Sequence, residues 1–410
     1  MKQKLFTLLL PLFLSLLASE ALAIGNKVNG IYYLFTGTNA KVTYDVNGTN
    51  NAAAYTGDVV IPETVTYNGT TYTVTEIGNW AFQYCTNLTS VKLPNSITTF
   101  GNNAFHHCEN LTSFEIPNSV TTIGSHAFEG CSGLTSIAIP NSVTTIYSHV
   151  FYGCTSLASV TIPTSMTAIP NYMFQGCSAL PEITIPSSVT SIGSYAFNEC
   201  SSLASVTIPN SVTTLGECAF QKCTSLTSVD IPASVKSLGE NAFWGCSSLT
   251  SVVIPYGVET IGGGVFSQCS SLTEVFIPGS VTSIGNAAFG GSTNPTKVKV
   301  GIKTPLTITQ STFINRANAT LYVPKGSKAA YKSADYWKQF KYIFEYIDVD
   351  KDGLTTIADV TALVDILLGK DNIEPYMYDH VAADVDDDHN ITITDVTALV
   401  NIILGKENGE

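Results

Sequence analysis

Three observations predict a β-rich solenoid of 23-residue coils, closed by a strand-rich cap and a helical cap and followed by a small all-α module. Nine cysteines stand at positions 85, 108, 131, 154, 177, 200, 223, 246 and 269, each 23 residues after the last. Phenylalanine recurs at the same interval from Phe82 to Phe289. Near the C-terminus, two acidic stretches 36 residues apart each run into an amphipathic segment. A fixed period of this size means one supersecondary unit copied along an axis, whose copies share a core that none could bury alone. Such arrays serve as extended binding surfaces and seldom as enzymes.

The unit from Cys154 to Cys177 shows how each position is used. Leu157, Val160 and Ile162 are the core-facing positions of a short strand, while Ser159 and Thr161 point the other way. Pro163 has no N–H to give a ladder and ends the strand. Met166, Ile169 and Phe174 line a return path, expected to be short and to contain a helical or 3₁₀ turn. Gly78, Gly124, Gly193, Gly216, Gly239, Gly262 and Gly285 precede the phenylalanine and are expected to supply a turn with φ > 0. One cysteine per coil at a constant phase stacks the sulfurs about one strand spacing (~4.8 Å) apart. Their parallel Cβ vectors suit a disulfide poorly. Buried thiols are expected instead, filling space and donating weakly to turn carbonyls. Cys218 lies off this ladder, and the pattern leaves its exposure open.

Both flanks read as caps. Ile31–Leu34, Lys41–Tyr44, Asp58–Pro62 and Tyr72–Val74 are expected strands, with Asn68-Gly69 a hairpin turn. Beyond the repeats, 319–324 gives a last strand, and Ser327–Phe344 is expected to be a helix closing the core. At the other extreme, Lys2 and Lys4, an apolar run from Leu5 to Leu17 and Ala21-Leu22-Ala23 form a secretory leader, with the mature chain beginning at Ile24. That run is too short to span a bilayer, and no second long apolar segment follows it, so no transmembrane segment is expected. The expected division is leader 1–23, N-terminal cap 24–75, solenoid 76–292, C-terminal cap 293–346 and acidic module 347–410.

Formal charge is −13, and from Asp348 onward fifteen acidic residues face only Lys351, Lys370 and Lys406. The repeats are therefore nearly neutral and lack the clustered basic face that nucleic acid requires. Their outward strand positions, from Ser90 and Lys92 to Glu274 and Phe276, are mostly small and polar. They hold no catalytic pair and no phosphate-cradling loop. Tyr147, His149, Tyr152, Tyr172, Tyr195 and Trp244, in the turns around the phenylalanines, are candidate ligand contacts, since exposed aromatics anchor proteins and stack on sugars. They can equally serve to cover neighbouring turns. His106 and His107, being adjacent, are not expected to converge on one ion.

The acidic stretches follow the logic of a calcium loop. Asp348, Asp350, Asp352 and Asp359 occupy positions 1, 3, 5 and 12 of a twelve-residue loop with Gly353 at 6. Asp384, Asp386, Asp388 and Asp395 repeat the pattern, with His389 in place of the glycine.

The coil, L-x-x-I-x-I-P-x-S-V-x-x-I-G-x-x-A-F-x-x-C, resembles the BspA-type leucine-rich repeats over about residues 75–292. That resemblance implies a leucine-rich-repeat surface adhesin, non-catalytic, binding a host extracellular protein, a cell or a glycan. The duplicated loop–helix with Asp at position 12 resembles a dockerin domain over about 346–405. This second resemblance implies two calcium ions. One would be held by Asp348, Asp350, Asp352, the Leu354 carbonyl and Asp359, the other by Asp384, Asp386, Asp388, the Asn390 carbonyl and Asp395. It also implies a cohesin-like partner, although Ile357-Ala358 and Ile393-Thr394 stand where Ser-Thr recognition pairs are frequent. Adhesion through the solenoid, recruitment as a non-catalytic subunit of an extracellular polysaccharide-degrading assembly, and a structural surface-layer role all remain open.

Overall fold

The computed structural model describes residues 25–44, 54–350, 355–368, 380–387 and 390–405, so the expected leader lies outside the described residues. The chain divides into two compact units, Met1–Met166 and Thr167–Glu410.

In the first unit, Asn26–Val28, Ile31–Thr36 and Asn39–Thr43 form an antiparallel meander, and Thr64–Tyr67 folds back on Thr70–Ile77. That hairpin turns on Asn68 and Gly69, with φ of 49° and 79°, the two left-handed residues a type I′ turn requires. Thr70–Ile77 also pairs in parallel with Asn39–Thr43 and carries that ladder on through Thr99–Phe100, Thr122–Ile123 and Thr145–Ile146. On the coil's other side Gly57–Val60 pairs with Leu88–Lys92, and Ser136–Ala138 with Ser159–Thr161.

The return path differs from expectation. Across 76–292 every coil returns through short extended rungs and turns, with no helix or 3₁₀ segment. The 23-residue register sets Thr99 on Thr122 and Phe100 on Ile123, and β-branched and aromatic residues favour extended rungs. The turn amides also bond outward: Phe82 N donates to the Ala104 carbonyl and Tyr84 N to that of His106, both at 2.7 Å. A helical turn would have spent those donors within its own coil.

The glycines are a second correction. The left-handed residues come two positions later, at Trp80, Asn103, His126 and His149, with φ from 56° to 61°. Glycine is needed instead for close approach. A Cβ on Gly124 would lie 2.6 Å from both Asn102 N and Gly101 C.

Phe82, Phe105, Phe128 and Phe151 stack at 5.1, 5.2 and 5.6 Å. In the second unit the stack from Phe174 through Phe289 keeps spacings of 5.1–5.6 Å. It then extends to Phe313 at 4.8 Å, with Trp337 tilted onto Phe313. The cap is thus built from further, irregular coils. Strands Lys297–Val300, Thr320–Pro324 and Tyr342–Tyr346 lengthen the parallel sheet of Ser251–Val253 and Glu274–Ile277. The helix expected over Ser327–Phe344 is correspondingly short: α1 spans Lys328–Ser333, a 3₁₀ turn follows at Trp337–Gln339, and Tyr342–Tyr346 is extended. Tyr336, at φ 63°, interrupts helical geometry. The aromatic run after it finds a strand partner.

No disulfide joins the ten cysteines, and all are buried, Cys218 included. Cys108, Cys131 and Cys154 donate to the carbonyls of Phe82, Phe105 and Phe128 at 3.1 Å. In the second unit Cys200, Cys223, Cys246 and Cys269 donate to Phe174, Phe197, Phe220 and Phe243 at 3.2–3.3 Å. Ser292, where the tenth cysteine would fall, keeps the bond: its hydroxyl donates to the Phe266 carbonyl at 2.9 Å. Burial pushes the thiols of Cys85 and Cys269 up to about 12.

The chain ends in α2 (Ile357–Leu367), α3 (His380–Ala383) and α4 (Ile393–Ile403). Val349, Val360, Leu363, Ala382, Ala383 and Leu399 form a core of their own.

Candidate functional site

Helices α2 and α4 begin alike. Thr356 and Thr392 cap them by accepting from the amides of Ala358 and Thr394. Three residues on, Asp359 and Asp395 complete the capping boxes and are fully buried. Asp359 Oδ1 accepts from Val349 N at 2.6 Å and Asp350 N at 3.3 Å, and its Oδ2 from Thr356 N at 2.7 Å. Asp395 repeats this with Val385, Asp386 and Thr392 at 2.6, 3.2 and 2.7 Å. Burial works to raise the Asp395 carboxyl, but the backbone amides of Thr392, Asp386, Val385 and Asp395 itself outweigh it and hold the group below the usual carboxylate range.

These ties hold Val349 and Asp350 against the start of α2, and Val385 and Asp386 against that of α4. One oxygen each of Asp348, Asp350 and Asp359 lie within 4.8 Å of one another, as do those of Asp384, Asp386 and Asp395. Three carboxylates this close repel unless a cation sits among them. An all-oxygen donor set fits a hard divalent ion. Asp352, Leu354 and Asp388 lie outside the described residues, and Asn390, seventh in the second loop, is exposed. Sequence reasoning missed Lys325, whose ammonium pairs with Asp387 Oδ1 at 2.7 Å and donates to the Asp384 carbonyl.

In the first unit the outward strand positions Lys92, Ser113, Glu115, Ser136, Ala138, Ser159 and Thr161 are exposed. With Phe114 and Ile116 they line an open groove of about 1010 Å³. In the second unit the equivalent positions from Glu182 to Glu274 are exposed. Phe276, read from the sequence as outward-facing, is buried against Tyr256, with ring centroids 6.4 Å apart.

Of the aromatic candidates, Tyr147 is 52 % exposed, whereas His149 and Tyr152 are half-buried against each other at 5.9 Å. In the second unit Tyr172 and Tyr195 stack at 4.9 Å and Trp244 is half-buried. The Cys218 thiol bonds Tyr195 and pushes its phenol up to about 12. Burial, helped by His126, lowers the His149 imidazole. These rings largely cover their neighbours.

Six copies of the BspA-type leucine-rich repeat region match residues 63–181 and 167–296. The chain belongs to that family. It is a BspA-type leucine-rich-repeat solenoid with helical C-terminal elements, an architecture typical of non-catalytic recognition proteins. No curated protein matches it. Among solved structures, a leucine-rich cell surface protein of Faecalibacterium prausnitzii is 28 % identical with a TM-score of 0.46, covering 75 % of this chain and 97 % of that one. A leucine-rich-repeat protein of Bacteroides ovatus is 26 % identical with a TM-score of 0.45, covering 77 % and 98 %. The pneumococcal vaccine antigen PcpA, at 20 % identity and a TM-score of 0.50, covers 80 % and 100 % and shares the fold. No helix among the described residues is long and apolar enough to cross a membrane.

Proposed function

We propose that the chain is exported to the bacterial cell surface, where its solenoid binds a host matrix protein, another cell or a glycan. The observation that carries this reading is the open groove of the first unit, floored by small polar side chains and flanked by Lys92 and Glu115. Such a surface suits a partner read by shape and hydrogen bonds. The leader pattern ending at Ala23 supports export, and the family resemblance supports adhesion. On this reading the cap spans 24–75, the repeats 76–292, the second cap 293–346 and the acidic module 347–410.

That module is proposed to be a dockerin-like domain ordered by two calcium ions. Calcium would supply the positive charge that lets clustered carboxylates share one centre. Asp348 with Asp350, and Asp384 with Asp386, present loop oxygens, while Asp359 and Asp395 hold those loops against the helix starts. Asp352, the Leu354 carbonyl, Asp388 and the Asn390 carbonyl would complete the two sets. A second reading, recruitment to a polysaccharide-degrading assembly by a cohesin-like partner, draws on Ile357 and Ile393. These isoleucines open α2 and α4 and are 69 % and 70 % exposed, a duplicated apolar contact with no cover in its own core. The test is binding of the chain, intact and ended after residue 346, to arrays of matrix proteins and glycans with calcium present.

A further inference from the structure

The 23-residue period places Glu129 at the coil position of His106, one rung along, and the two meet in the first unit. One ligand atom each of His106, His107 and Glu129 lie within 4.8 Å of one another. Adjacent histidines were not expected to converge. They do so because His107 is left-handed, at φ 56°, and its ring turns back across Gly130, where a Cβ would lie 2.6 Å from His107 Nδ1. The turn is held at its neighbour by the His107 amide, which donates to the Glu129 carbonyl at 2.7 Å.

Two further observations point to a ligand. His106 is 9 % exposed, and its Nδ1 is buried without a hydrogen-bond partner, a state native structures rarely leave unexplained. Glu129 is steadied from behind by His126, whose Nδ1 is hydrogen-bonded to Oε2, the outer support that ligating carboxylates usually have. Glu109 Oε1, 3.4 Å from His107 Nδ1, adds a second negative charge at the rim.

We infer that His106, His107 and Glu129 form a binding site for a borderline divalent transition metal, of which zinc is the type. Two imidazoles and one carboxylate suit zinc and exclude calcium, which takes oxygen. Zinc bonds of about 2.0–2.1 Å set tetrahedral donors roughly 3.4 Å apart, so small side-chain rotations from the 4.8 Å envelope close the site. Three protein donors leave one position for water or for a donor from a bound partner.

The test is calorimetric titration of the chelator-stripped chain with zinc in excess calcium, with cobalt as a spectroscopic reporter. The variants are His106→Gln, His107→Gln, Glu129→Gln and His126→Gln. Glutamine is the solenoid's own choice at these turn positions, at Gln83, Gln175 and Gln221 for His106 and at left-handed Gln268 for His107, so the coils should stack unchanged by circular dichroism. One equivalent of zinc is expected, weakened tenfold or more by each of the first three substitutions and about 10–100-fold by His126→Gln, which acts through Glu129. The absence of saturable uptake, or uptake that His106→Gln and Glu129→Gln leave unchanged, overturns the site.

Discussion

At Gly124 the backbone of one coil lies against that of the next, with Asn102 N and Gly101 C each 2.6 Å from where a Cβ would stand. Gly124→Ala should therefore force the two coils apart and cost about 1–3 kcal/mol, as overpacking usually does, read as a lowered urea midpoint. The glycines were legible as a recurring need, but not which need: one sequence position cannot distinguish positive φ from close approach, because glycine answers both. The nine ladder thiols were legible, since a constant phase fixes both their burial and their neighbours; the burial of Cys218, which lies off that phase, was not. Their protonation follows. Cys85 and Cys269 rise from about 9 to about 12 on folding, so the folded state binds the proton more tightly. That stabilisation is complete below pH 9 and is lost as pH rises from 9 towards 12, at about 1.4 kcal/mol per pH unit for each such thiol. Melting temperature should fall steeply above pH 9, and a thiol reagent should find ten groups only after denaturation. A flat alkaline profile would show that the thiols are not buried in solution.

Among elements, the strands of the repeats and the starts of α2 and α4 were readable because their signals are local. These are alternating aliphatics closed by proline, and a twelve-position acidic loop running into an aliphatic stripe. The return rungs were not, because two-residue strands exist only through partners 23 residues away. The irregular C-terminal coils escaped because the spacing from Phe289 to Phe313 is 24 residues, and Lys297–Val300 carries no proline stop. The pairing of Glu129 with His106 was available from the period alone, since equal coil positions stack. The acidic loops give the element-scale prediction. With three carboxylates inside 4.8 Å in each loop, removal of calcium should melt α2 and α4, while the parallel sheet of the coils keeps its signal. Circular dichroism in chelator checks it: loss of the helical contribution alone is expected, and loss of the sheet as well would make the module part of the stack.

Within each unit, stability is additive along the coils, because each rung bonds only its neighbours and shares their aromatic and thiol core. That design leaves the outward strand positions free of structural duty, which is why they can be small, polar and open while the core stays invariant. On the proposed reading recognition belongs to the solenoid, and it is separable from whatever the acidic module contacts. The most direct measurement compares, with calcium present, the binding of the intact chain and of the chain ended after residue 346 to the same matrix-protein and glycan arrays. Saturable binding of equal affinity by both is the expected result. Binding by the intact chain alone would contradict it and place recognition in the acidic module.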